Sequence, residues 1–207
     1  MKKFLVCVTF FVLPVVFFSE ARAIASDSTK GRSEESMASN APSFFPEVAG
    51  RNLEGLEFQL PADFGGAVNL VLVAFRREHQ ALVDTWLPPA AALADSLGDL
   101  QYYELPVLSR AYKLLRRFID GGMRAGISDL AARERTITLY IDKKPFLKAL
   151  GISNEDTIYI LVLASDGRVT LMLDGAYSEE KRSSVYGAAR ELLDSPSRSS
   201  NEEQAPN

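Results

Sequence analysis

The chain has 207 residues, 47% of them apolar and 24% charged, with a formal net charge of −4 and a single Cys and His. Those proportions exclude a disordered chain, a collagen-like repeat and a disulfide-built miniprotein. The acidic balance argues against nucleic acid or an anionic membrane as a general partner.

Met1-Lys2-Lys3 forms a positive start, Phe4 to Phe18 is an almost unbroken apolar run, and Ala21-Arg22-Ala23 follows as a small-x-small cleavage pattern. The run is shorter than the roughly 20 residues a spanning helix needs. Residues 1–23 are therefore expected to be a signal peptide, with a retained anchor as the alternative. Cys7 lies inside the run rather than just after it, which disfavours a lipoprotein. Cleavage after Ala23 would remove Lys2, Lys3, Arg22 and Glu20, leaving the chain two charges more acidic, and would remove its only thiol. The expected location is periplasmic or secreted, with no stable membrane insertion after cleavage.

Residues 24–43 are polar and read as a flexible leader; residues 195–207 read as a disordered tail. Between them, residues 44–194 form the expected domain. Glu57 to Leu60 alternates as a short strand ending at Pro61. Asn69 to Phe75 is continuously apolar, as in a strand buried on both faces. Glu78 to about Leu97 reads as a helix kinked or interrupted by Pro88-Pro89, and Tyr102 to Leu108 as a second strand. A helix from Ser109 carries Ala111, Leu114, Leu115, Phe118 and Met123 near one face, with Gly121-Gly122 breaking it. Ser128 to Arg133 adds a short helix, Thr136 to Ile141 a strand, and Pro145 to Leu150 a helix stopped by Gly151. Thr157 to Ala164 and Arg168 to Leu173 form a hairpin around Ser165-Asp166-Gly167. The last helix places Val185, Ala188, Ala189, Leu192 and Leu193 on one face, with Ser178 as its cap. Asn69–Phe75 and Thr136–Ile141 are expected as central parallel neighbours.

This order resembles the thioredoxin-like fold: an α/β, three-layer α/β/α sandwich with a mixed, roughly five-stranded sheet. AFRREHQALVDTWLP and DGRVTLMLDGAYSEEKR resemble thioredoxin-like relatives of the mitochondrial ATP synthase assembly factor ten. The resemblance aligns Arg76-Arg77-Glu78-His79 with the two-cysteine redox motif, and neither end is Cys. It also implies a cis-proline before the hairpin, where this chain has Ser153-Asn154-Glu155-Asp156-Thr157. On the final hairpin strand, where the assembly-factor pattern has an aromatic and an Arg, the chain has Thr170, Leu171 and Met172. Thiol–disulfide and peroxidase chemistry need a thiolate, so neither is expected.

Two clusters stand out. Arg76, Arg77, Glu78, His79, Gln80, Asp84 and Trp86 follow a central strand, where open α/β sheets place ligands. They read as a polar partner-binding patch, or alternatively as a solvated helical turn with Trp86 packed on the sheet. Arg116, Arg117, Asp120, Arg124, Asp129, Arg133 and Arg135 form the weaker candidate. They would clamp a carboxylate or phosphate, or Arg116 and Asp120 simply pair at i, i+4. Trp86, Tyr102, Tyr103, Phe118, Tyr140 and Tyr159 read as core or edge packing. His79 has no second His or Cys to share a metal, no nucleotide fingerprint occurs, and no cofactor is expected. The expected function is a non-redox binding or assembly protein of the cell envelope with a protein partner and no enzymatic activity. The alternatives are an acid–base enzyme using Arg76, Glu78 and His79, or a carrier with an apolar pocket between the helix after Phe75 and the sheet.

Overall fold

The structure, a computed structural model, describes residues 44–195; the expected signal peptide, leader and nearly all of the expected tail lie outside them. Seven strands form one sheet in the order β2-β1-β5-β4-β3-β6-β7. They are β1 Val48–Asn52, β2 Glu57–Leu60, β3 Val68–Ala74, β4 Leu100–Ser109, β5 Ile137–Ile141, β6 Tyr159–Ala164 and β7 Val169–Asp174. The helices are α1 Gln80–Leu97, α2 Arg116–Gly126, α3 Leu130–Arg135, α4 Lys143–Ala149 and α5 Glu179–Asp194.

The sheet is mixed, as expected, but has seven strands rather than five. β3 and β5 are not neighbours either: β4 lies between them and runs parallel to both. Its residues Leu100 to Pro106 pair with β3, and Val107 to Ser109 then pair with β5. A ten-residue strand is long enough to pass from one partner to the other. β6 pairs antiparallel with β3 and β7 antiparallel with β6. Gly167, at φ 82°, closes the hairpin by donating its N–H to the Ala164 carbonyl at 3.0 Å. A Cβ there would sit 2.4 Å from Pro61 Cγ, so the turn demands glycine on two counts.

Strand alternation sorts the core into two layers. Leu70, Leu72, Ile160 and Val162 face Val83, Trp86, Ala90 and Leu93 of α1 and Val185 and Ala189 of α5. Val71, Val73, Leu105, Val107, Leu161 and Leu163 face the other way, against Phe45, Phe64 and Phe146 of α4. The expected apolar carrier pocket between α1 and the sheet is therefore filled by side chains.

α1 runs through Pro88-Pro89 without interruption. The two prolines withhold helical donors from the carbonyls of Asp84 and Thr85, and both residues are exposed, where solvent can stand in for the missing donors. α2 likewise passes through exposed Gly121 and Gly122, which weaken a helix by about 1 kcal/mol each relative to Ala without ending it. The helix expected from Ser109 is a 3-10 segment over Arg110–Leu115 followed by α2, and its apolar residues face outward: Leu114 of the 3-10 segment is 94% and Phe118 of α2 81% exposed. Phe118 is thus no core residue. Periodicity identifies a stripe without saying what it packs against.

Candidate partner-contact site

β3 ends in a run of buried side chains, and Phe75 is buried just beyond it. Arg76 is extended, at φ −139° and ψ 154°, and a single 3-10 turn over Arg77–His79 leads into α1. This geometry splits the predicted patch in two. Arg76, Arg77, Glu78, Gln80 and Asp84 are exposed, whereas His79 is 4% and Trp86 0% exposed.

His79 and Trp86 are therefore corrections to the expected contact surface. The His79 Nδ1 accepts the Phe75 N–H at 3.3 Å, so the ring ties the strand end to the turn. Burial, followed by the Arg76 charge, lowers its pKa below the usual histidine value. Trp86 packs edge-on to Tyr177 at 5.4 Å and donates its indole N–H to the Gly175 carbonyl at 3.0 Å.

The segment before β6 completes the patch. Arg76 Nη2 donates to Asp156 Oδ1 at 2.9 Å, in the loop where the resemblance implies a proline. Both partners are well exposed, so the pair contributes at most about 1 kcal/mol. Beside it, Lys143 pairs with Glu155 at 2.6 Å, and Lys143 Nζ lies 5.8 Å from the Phe75 ring centre. Gln80 Nε2 donates to Asp84 Oδ1 at 2.9 Å. Among the described residues, Arg77 makes no ion pair within 4.0 Å. The result is a mixed-charge surface at the carboxyl end of β3, with one guanidinium tethered and one free.

Sequence reasoning missed Asp156 and Glu104. Asp156 is distant in the chain and only the fold brings it to Arg76. Glu104 had a readable signal, a lone acid inside an apolar strand: alternation puts it on the same face as Leu100 and Tyr102, toward α1. It is buried, and burial raises its pKa, with the nearby Gln80 amide and Arg135 pulling the other way. The folded state thus holds the proton more tightly than the unfolded chain. This carboxyl's contribution to stability falls as pH rises from the ordinary glutamate value through the folded one. Arg135 lies 4.4 Å over the Tyr102 ring on the same flank.

The second predicted cluster disperses. Arg124 Nη2 and Arg133 Nε both donate to Glu54, at 3.0 and 2.5 Å, and Arg133 Nη1 also donates to the Ile127 and Ser128 carbonyls, each at 3.0 Å. Asp129 caps α3 by accepting the Ala131 N–H at 3.1 Å. These three are structural fastenings, not a ligand clamp. Asp120 accepts the Tyr140 hydroxyl at 2.8 Å rather than forming the expected ion pair with Arg116, because β5 brings the phenol alongside α2. Burial raises the pKa of both Asp120 and Tyr140, and the Asp120 hydrogen bond adds to the rise of Tyr140. Arg116 of this set lines a cleft.

No family model matches the chain, and no curated protein matches it. Solved structures do. A protein from Aquifex aeolicus VF5, described as a candidate electron transfer protein, is 13% identical with a TM-score of 0.53, over 73% of this chain and 95% of that one. The exposed lipoprotein thioredoxin of Streptococcus pneumoniae strain TIGR4 is 14% identical with a TM-score of 0.48, over 70% and 99%. BsSco, a member of the Sco family of cytochrome c oxidase assembly proteins, is 12% identical with a TM-score of 0.48, over 73% and 96%. The fold is thioredoxin-like, a mixed sheet packed on both faces, and the likeness to the Aquifex aeolicus protein bears on that fold alone. Nothing in these likenesses reaches an ATP synthase assembly factor. No helix among the described residues is long and apolar enough to cross a membrane.

Proposed function

We propose that this thioredoxin-like chain is a non-redox binding or assembly protein of the cell envelope, without enzymatic activity, that contacts a protein partner through Arg76, Arg77, Glu78, Gln80, Asp84 and Asp156. The observation that carries the reading is the turn after β3: its side chains are charged and exposed, and residues 44–195 contain no cysteine. A thiolate is the nucleophile of disulfide exchange, and the chain's only cysteine is Cys7, in the apolar run. Placement in the envelope rests on the Lys2-Lys3, apolar run and Ala21-Arg22-Ala23 order.

Binding is favoured over acid–base chemistry because His79 is buried with Nδ1 engaged by a backbone amide, while Glu78 points to solvent. General acid–base catalysis needs both groups within reach of a substrate proton. The redox half of the proposal is tested by insulin reduction with dithiothreitol as electron donor. The full chain is expected to match the rate of dithiothreitol alone, and so is Cys7→Ser. A faster rate with the full chain would overturn the reading.

A further inference from the structure

A cleft of about 320 Å³ opens between β1, β2 and β5 and the segment after β4, and shares no lining residue with the Arg76 patch. We propose that it binds a small organic dianion through an oxyanion group, a phosphate monoester or a dicarboxylate. Its volume falls at the lower end of small-molecule sites, roughly 300–1,000 Å³. It lies over the face that β1, β2 and β5 present, walled by the segment that follows β4.

The charge of the cleft opposes that of the chain. Arg51, Arg110, Lys113 and Arg116 line it against only two carboxylates, Glu57 and Asp142, in a protein of net charge −4. Glu57 is already engaged, 3.5 Å from Arg51 Nε, and Asp142 accepts the Lys144 N–H as the cap of α4. Among the described residues, Arg110, Lys113 and Arg116 make no ion pair within 4.0 Å. They stand on consecutive turns of the segment that follows β4, and Arg51 approaches from β1. Arg51 has Glu57 and, with Arg116, feels the Asp120 charge, but Arg110 and Lys113 stand exposed without a carboxylate partner, and an oxyanion would neutralise them while accepting forked hydrogen bonds.

A second observation is independent of charge. Thr138, on β5 opposite Arg51, is 1% exposed and belongs to the cleft lining. Its hydroxyl is buried without a hydrogen-bond partner. A β-branched valine would fill the same space without stranding a polar atom. A hydroxyl kept at a stability cost just beneath the inner wall of a cationic cleft is a neutral donor that an oxyanion reaching past that wall would satisfy.

The test is isothermal titration calorimetry of the full chain at pH 7.5 with glycerol 3-phosphate and with succinate. Glycerol, and chloride at matched ionic strength, are the controls. At least one dianion is expected to bind with heat that neither control produces, and the tighter of the two identifies the oxyanion. Lys113→Ala combined with Arg116→Ala should weaken that binding at least tenfold. Thr138→Val should weaken it at least threefold while raising the melting temperature by about 2–4 °C. Absence of dianion binding above chloride would overturn the proposal, as would variants that bind as tightly as the parent. Insulin reduction and partner capture at Arg76 do not depend on this cleft, so its failure leaves the proposed function untouched.

Discussion

Trp86→Ala is expected to destabilise the domain by about 3–5 kcal/mol, the largest single effect foreseen for this protein. The indole is fully buried between α1 and the sheet, so truncation removes its apolar transfer energy and leaves a cavity. It also strands the Gly175 carbonyl, which accepts the indole N–H at 3.0 Å, and removes the edge-on contact with Tyr177. Gly175 lies between β7 and α5, so the lost contacts join α1 to the C-terminal part of the fold. Natural domains hold only about 5–15 kcal/mol in reserve, so the variant should lose a large share of its stability. Urea denaturation followed by circular dichroism measures this. A loss below about 1 kcal/mol would return Trp86 to the surface reading.

His79→Ala should cost about 2 kcal/mol at pH 7.5, from the lost ring packing and the Phe75 amide left without its acceptor. The parent protein should also lose stability as pH falls. Above the usual value of 6.5, the ring is neutral in both states. Below it, the unfolded chain takes the proton first, because burial lowers the folded pKa, so stability declines until the folded ring protonates too. His79→Ala removes this contribution, and its urea midpoint should fall less than the parent's between pH 7 and 5.5. Equal slopes in that window, with little loss at pH 7.5, would place the ring in solvent.

How much of this was legible in the sequence varies with the physics behind each element. β3 and the β6/β7 hairpin were readable because a continuous apolar run and a Ser-Asp-Gly turn are local signals. Ser178 was readable as a cap for the same reason: its hydroxyl accepts the Lys181 N–H at 3.2 Å. β1 was missed because Val48-Ala49-Gly50-Arg51-Asn52 has neither a run nor a strict alternation. Its glycine is there for close approach, since a Cβ on Gly50 would fall 2.6 Å from Ile137 Cγ2 and Leu139 Cδ2. The order of β3, β4 and β5 depends on strand length and register, which hydrophobicity does not encode. In the candidate site, the exposed charges were readable from their place after β3. The burial of His79 and the partner of Arg76 were not, because both depend on residues brought together only by the fold.

The central claim is that the turn after β3 is a contact surface and not a relic. A photo-crosslinking side chain at exposed Gln80, in the full chain, tests it in envelope preparations, alone and combined with Arg76→Ala and Arg77→Ala. Exposed charges contribute about 0–1 kcal/mol each to folding, whereas arginines anchor interfaces by forked hydrogen bonds. The account predicts a discrete protein adduct whose yield falls at least tenfold in the double variant, with a melting temperature changed by less than about 4 °C. An equal adduct yield in the double variant would contradict it.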